Sequence, residues 1–251
     1  MLNKFNLRHL SIKQRKFVKL ENLDLDIGIK AVVTVGGVDI WITDTLISTW
    51  IIMGVLIALA IVVRVKSRKF KEIPKGFQNV IEYLVEMFDN FVRGAAGEKL
   101  LFLGNWFLMV FAFVLLSNIS GLFLLRPPTA DWATTFAVAL VTFILIHAMG
   151  GKFRKLKYVK SLFEPNPVFL PINLIGELAR PISLSFRLFG NILAGSILMT
   201  LLYSLAPIFV KWGIPAALHV YFDVFAGVMQ TYIFTILSLS FISAAAVGEP
   251  E

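Results

Sequence analysis

Five ionisable side chains, Glu177, Arg180, Arg187, His219 and Asp223, fall within the last two long apolar stretches of this 251-residue chain. An ionisable group near the centre of a bilayer costs at least about 2.5 to 3.5 kcal/mol on insertion scales, so each one is a candidate functional position with a partner to be named. Glu177, Arg180 and Arg187 stand at i, i+3 and i+10 and share one helix face, where the first two can pair with each other. Arg187 then has no local carboxylate. Its guanidinium keeps its protons at any accessible pH, so it serves as a fixed positive charge and not as a proton relay. A static salt bridge from Arg187 to Asp223 is the plainest alternative, and depth opposes it. Counted from the turn near Trp212, Arg187 lies 25 residues along one arm and Asp223 only 11 along the other. Gln230, 18 residues in, is closer in depth, and Asp223, Gly227 and Gln230 follow the i, i+4, i+7 spacing of one face. Gly190, Asn191, Ala194, Gly195 and Ser196, near the arginine, are small enough to let a neighbouring helix approach. The missing counter-ion is therefore expected from another helix or another chain.

The elements that must position these groups follow from composition. Hydrophobic residues make up 57% of the chain and charged residues 16%, outside the balance of a water-soluble protein. Apolar runs near or above the roughly 20 residues that cross a bilayer occupy residues 45–63, 100–125, 132–150, 169–210 and 214–246. The expected fold is an all-α membrane protein of about five transmembrane helices, with residues 45–251 forming one transmembrane domain. The run over 169–210 would extend about 63 Å at about 1.5 Å per residue, twice the hydrocarbon core, so it must tilt or kink, with Pro181 the natural kink point. Lys211, Trp212, Gly213 and Pro215 supply a tight turn, and the last two runs together predict a long tilted antiparallel hairpin. Over residues 75–93, Phe77, Val80, Ile81, Leu84, Val85, Phe88 and Val92 recur at helical spacing opposite Gln78, Glu82, Glu86, Asp89 and Arg93. That pattern predicts an amphipathic helix on the membrane interface or against a neighbour. Residues 1–44 are expected to form an exterior segment, with a short strand pair between Ala31 and Thr43.

The net charge of +8 sits mostly in two loops, Arg64 to Lys75 and Lys152 to Lys160. Both are expected on the cytoplasmic side, which leaves the N-terminus outside and the C-terminus inside. Trp41, Trp132 and Trp212 then fall at outer ends, as interfacial anchors do. Basic loops beside membrane spans point to lipid headgroups and not to nucleic acid. The N-terminus is basic but lacks the apolar core of a secretory signal, so the first helix is expected to stay as an uncleaved anchor. No cysteine is present, and His9, His147 and His219 form no ligand pattern, so neither metal chemistry nor thiol chemistry is expected. No phosphate-cradling Gly-x-x-x-x-Gly-Lys-Ser/Thr motif occurs, so neither nucleotide binding nor another cofactor is expected. The rival reading, an ion-coupled secondary transporter, predicts repeat symmetry, and no internal repeat is evident.

The run from Pro171 through Glu177, Arg180-Pro181, Ser183, Ser185 and Arg187-Leu188-Phe189-Gly190-Asn191 to Gly195 resembles the signature of subunit a of F-type ATP synthases. Gln230 in the last helix, Pro165-Asn166-Pro167 upstream and the helix order from about residue 40 onward extend the resemblance over nearly the whole chain. The resemblance implies an ion-translocating membrane stator with two half-channels and no catalytic site of its own, ATP chemistry belonging to other subunits. It implies that Arg187 is the essential charge, meeting a carboxylate on each subunit of a rotating c ring. Asp223 and Ser196 would line the outer half-channel and Glu177 the inner one, with Gln230 and Asn191 beside the path and Gly190, Ala194, Gly195 and Gly227 packing near the ring. The implied partners are the c ring, peripheral-stalk b subunits, membrane lipids and a translocated proton or sodium ion. The implied location is an energy-transducing membrane, a bacterial plasma membrane above all. Many family members carry an acid or histidine where Ser196 stands, and Asp223 occupies a last-helix position where others carry a histidine or an acid, so the polar groups look exchanged between helices.

Overall fold

The computed structural model describes residues 29–35, 38–123, 125–205, 207 and 213–248, and the chain divides between Asp44 and Thr45 into two compact units. In the first, β1 (Ile29–Val35) and β2 (Val38–Thr43) pair antiparallel, from Val35 opposite Val38 to Ile29 opposite Thr43. Their β-branched residues suit a pleated strand. The pair matches the one expected from the sequence and begins two residues earlier. Residues 1–28 lie outside the described residues.

The second unit is an all-α membrane domain. Among the described residues, five helices are long and apolar enough to cross a membrane: Asp44–Ser67, Glu98–Phe123, Trp132–Arg154, Pro167–Leu205 and Ile214–Val247. The regular helices within it are α1 (Asp44–Ser67), α2 (Phe77–Ala96), α3 (Gly104–Ile119), α4 (Trp132–Arg154), α5 (Leu156–Ser161), α6 (Leu170–Leu205), α7 (Ile214–His219) and α8 (Gly227–Val247). Short 3-10 turns, Glu98–Leu103 and Ser120–Phe123, flank α3, and a π-helical segment, Val220–Ala226, joins α7 to α8. The expected turn at Lys211 and Trp212 and the last residues of the fourth run, 208–210, lie outside the described residues.

Local chemistry sets several boundaries. Asp131 caps α4 by accepting from Ala133 N at 3.0 Å, satisfying one of the free donors of the first turn. Gly97, at φ 78°, takes a positive-φ conformation open chiefly to glycine and turns the chain from α2 toward α3. Asn173 Nδ2 donates to Leu162 O at 2.8 Å and Glu164 O at 3.0 Å, tying the first turn of α6 to the preceding loop. Helix α6 then runs 36 residues, about 54 Å at about 1.5 Å per residue, and continues as helix past the buried Pro181. That length exceeds a hydrocarbon core of about 30 Å, the mismatch for which the sequence predicted a tilt or a kink.

Helix α8 is the hub: it packs against α2, α3 and α4, while α6 packs mainly against α4. The two arms of the hairpin are therefore joined through a third helix more than through each other. One core cluster gathers Phe88 and Val92 of α2, Phe107 of α3, Ile146 of α4, and Leu239 and Ile242 of α8. A second, one layer away, holds Val114, Ala139, Leu184, Leu188 and Phe234. The C-terminal half of the amphipathic α2 docks on the bundle, as packing against a neighbour required, while Phe77, Val80, Tyr83, Leu84 and Met87 stay exposed. The C-terminal ends of α4 and α8 lie at one end of the bundle, because the Arg154 guanidinium sits 3.4 to 3.6 Å from where a Cβ on Gly248 would be.

Candidate functional site

Arg187 projects from the exposed face of α6 and forms no ion pair or hydrogen bond among the described residues. The inward face of the same helix explains this orientation. Leu184, Ser185, Leu188, Ile192 and Gly195 are buried against the bundle, so the positions between them must point outward. On the outward side stand Gly176, Ala179, Ser183, Arg187, Gly190 and Ala194, spaced 3, 4, 4, 3 and 4 residues apart, and all are exposed or half-exposed. A Cβ on Gly176 or Gly190 would meet nothing within 4 Å. The arginine is thus the one charge in a stripe of small side chains open to whatever lies beside the chain. Asn191, one turn on, is half-buried and makes no side-chain hydrogen bond among the described residues.

Depth can be read from packing. Leu184 and Leu188, which bracket Arg187, share a cluster with Phe234, one turn beyond Gln230, so Arg187 and Gln230 lie at similar levels. Gln230 is buried, and its Nε2 has no hydrogen-bond partner among the described residues. Asp223 lies farther out: its neighbour Phe222 packs against Gly195, two turns past Arg187, with the ring 3.4 Å from where a Cβ on Gly195 would sit.

Asp223 does not meet Arg187. Its Oδ2 accepts from His219 Nδ1 at 2.7 Å, one turn back, and the carboxyl lies 3.3 to 3.5 Å from where a Cβ on Gly121 would be. Three residues before Gly121, Asn118 is completely buried and organises this end of the bundle. Its Nδ2 donates to Gly227 O at 3.1 Å and Thr231 Oγ1 at 3.2 Å, and its Oδ1 accepts from Thr129 Oγ1 at 2.9 Å. A Cβ on Gly227 would lie 3.0 Å from Asn118 Cβ, so glycine is what lets α8 approach α3 closely enough for these bonds.

The opposite end holds the other acid. Glu177 is buried, and its Oε2 accepts from Arg180 Nη1 at 2.8 Å, the pairing expected from their spacing. The Arg180 guanidinium lies 5.3 Å over the Phe241 ring of α8, adding a cation–π contact. Tyr158 of α5 is packed edge-on toward His147 and hard against Gly150, and its hydroxyl has no partner among the described residues. Burial first, and then the charge of Glu177, push this phenol above its usual range, against the opposing pull of Arg180 and Arg154.

The residues singled out in the sequence therefore sort by place. Arg187, Gly190 and Ala194 share the outward stripe, and Asn191 borders it. Ser196 is exposed and donates back to Leu193 O at 2.9 Å. Gly195 and Gly227 turn inward to Phe222 and Asn118 of the same chain, away from the stripe, although their size invited the reading of packing against a neighbour. Glu177 and Asp223 occupy opposite ends, with Arg187 between them. Sequence reasoning gave no part to Asn118 or Thr129, and none to Ser183 beside the arginine. An amide inside an apolar run was the available signal for the first, because a buried polar group in a membrane requires a partner.

Residues 46–243 match the ATP synthase A chain family. The chain is 35% identical over 231 residues to ATP synthase subunit a, sodium ion specific, of Propionigenium modestum, covering 84% of this chain and 76% of that protein. It is 35% identical over 207 residues to ATP synthase subunit a 2 of Acaryochloris marina, covering 80% of this chain and 85% of that protein.

Proposed function

The chain belongs to the ATP synthase A chain family and is a multi-pass membrane subunit of that synthase, and from this premise we propose that it is the stator that passes ions to and from a rotating c ring through two half-channels. The observation that carries the reading is the lone Arg187 in an open stripe of small residues. Small side chains let a moving helix pass close by, and the guanidinium awaits a carboxylate from that helix.

A ring carboxylate that is neutral while it faces lipid loses its ion when it comes within about 4 to 6 Å of a fixed positive charge, because the charge stabilises the anion. Arg187 thus forces release into one half-channel. Since arginine holds its own protons, the ion, proton or sodium, cannot slip past it, and passage requires the ring to turn. Each elementary charge carried across is worth about 2.3 kcal/mol per 100 mV, which drives rotation. In this reading Asp223 and Ser196 line the outer half-channel, Glu177 lines the inner one, and Gln230 and Asn191 flank the point of exchange. Having one acid at each end of the bundle and the arginine between them is what two offset access paths require. Gly190 and Ala194 pack against the ring, while Gly195 and Gly227 hold the stator's own helices together.

The basic loops after α1 and α4 then face the cytoplasm of a bacterial cell, with residues 1–44 outside. The c ring, peripheral-stalk b subunits and lipids cover the exposed apolar faces, and ATP chemistry stays with other subunits. Gentle purification separates this reading from a secondary transporter. The chain is expected to come away with a ring of small hairpin proteins and to bind no solute saturably by itself. A chain that purifies alone and shows saturable solute binding overturns the proposal.

A further inference from the structure

We infer that Tyr158 is a positioning residue for the inner acid, its hydroxyl donating through a bridging water to the Glu177 carboxyl and holding it aimed along the inner path. The inference rests on the reading above, in which Glu177 lines that path. Three observations carry it. Tyr158 is only 8% exposed, yet its hydroxyl has no partner among the described residues, and a buried hydroxyl requires one. Glu177, also buried, commits Oε2 to Arg180 Nη1 at 2.8 Å and makes no other side-chain hydrogen bond among the described residues, so its carboxyl can accept a second donor. The two side chains are also neighbours in the packing: Tyr158 belongs to the core cluster against which Phe241 of α8 packs, and the Arg180 guanidinium lies 5.3 Å over that same ring.

The backbone at the end of α4 is shaped to put the phenol there. Lys155 takes φ 49°, a conformation that residues with a side chain rarely adopt, and the chain turns back so that Tyr158 of α5 lies on Gly150, eight residues earlier. A Cβ on Gly150 would stand 2.7 to 2.9 Å from the ring, so glycine is what gives the phenol its seat. Around it, α4 contributes His147, whose Nδ1 donates to Phe143 O at 3.0 Å, and Arg154; α6 contributes Glu177 and Arg180; α8 brings no charged residue. Burial and the charge of Glu177 push the phenol above its usual range, so its oxygen keeps the hydrogen that it donates.

Arg180 by itself holds the acid loosely. Its side chain is 34% exposed against 11% for Glu177, so the pair is anchored from its outer edge, and the last torsion of a glutamate is broad and fixed only by what the two oxygens bond. A second donor, coming from α5 on the other side, fixes the plane of the carboxyl. The phenol suits that task because it is neutral, repels no cation, and is held by packing against α4. Water bridging two such polar groups is nearly as favourable as a direct bond.

The test uses the assembled synthase in liposomes, driven by a fixed voltage. Tyr158→Phe keeps the ring on Gly150 and removes only the hydroxyl; it is expected to lower ATP synthesis about three- to tenfold at wild-type yield and melting temperature. Glu177→Gln is expected to lower it further, and the double variant to be no worse than Glu177→Gln, since the hydroxyl acts only through that acid. Infrared spectra supply a second readout: the C–O stretch that disappears in Tyr158→Phe is expected to move in Glu177→Gln. Wild-type synthesis in Tyr158→Phe, a loss that follows lowered yield or melting, additive losses in the double variant, or a C–O band indifferent to Glu177→Gln overturns the proposal. Wild-type synthesis in Glu177→Gln would sink the inner half-channel reading itself, whereas an impaired Glu177→Gln beside an intact Tyr158→Phe removes only the phenol's part.

Discussion

Arg187→Ala is expected to abolish ion-driven ATP synthesis while leaving the amount of chain in the membrane unchanged. Both halves of that expectation come from the same geometry. The guanidinium is exposed on α6 and bonded to nothing among the described residues, so truncation removes no contact from the fold. Removing a charge from a membrane helix even favours insertion, by about 2.5 to 3.5 kcal/mol on translocon scales. The function has no substitute for it. On the proposed mechanism a ring carboxylate that meets no fixed cation would keep its ion as it passes, and the outward stripe holds no other cation among the described residues to displace it. Arg187→Lys is expected to recover little, because a lysine can release its proton near an acid in a low-dielectric site and so short-circuits the two paths. Synthesis rates in reconstituted complexes, set beside immunoblots of the chain, decide the matter. Normal synthesis in Arg187→Ala refutes the assignment.

Asn118→Ala is expected to have the opposite signature, a loss of stable protein exceeding any loss of turnover per assembled complex. The amide joins α3 to α8 through Gly227 O and Thr231 Oγ1 and holds the Thr129 hydroxyl, all in a completely buried position. A buried polar group left without a partner costs about 1 to 3 kcal/mol in soluble proteins, while hydrogen bonds inside membranes average about 0.6 kcal/mol. Three lost bonds and the cavity beside Gly227 together predict a destabilisation of about 2 to 4 kcal/mol. Thermal unfolding of the purified complex and the yield of chain measure it. Unchanged melting would show that water or a shifted side chain takes over the amide's partners.

Much of this architecture was legible in the residues. Five apolar runs became five spans, the amphipathic helix appeared within three residues of where periodicity put it, and the strand pair within two of the Val/Gly/Ile stretch that suggested it. Boundaries drifted for identifiable reasons. Helix α1 continues past the apolar run to Ser67, and α4 to Arg154, because basic side chains reach the interface on long stems while their backbones stay helical. The π-helical segment at Val220–Ala226 escaped the sequence reading, since one extra residue per turn has no signature in residue type.

The site was legible in its charges and less so in its small residues. The i, i+3 spacing of Glu177 and Arg180 predicted their pair, and the difference in depth along the hairpin predicted that Asp223 would not reach Arg187. Glycine, by contrast, announces a close approach without naming the neighbour. Gly190 faces open space, whereas Gly195 and Gly227 face Phe222 and Asn118. Only the packing of α6 and α8 against their neighbours separates the two cases.

Whether the outward stripe of α6 receives the ring is decided by a high-resolution map of the assembled complex. The Arg187 guanidinium is expected to face the c subunits, within about 4 to 6 Å of a ring carboxylate, with Gly190 and Ala194 against the same surface. A map in which Arg187 is paired inside its own chain, or faces lipid with the ring seated on another helix, would contradict it.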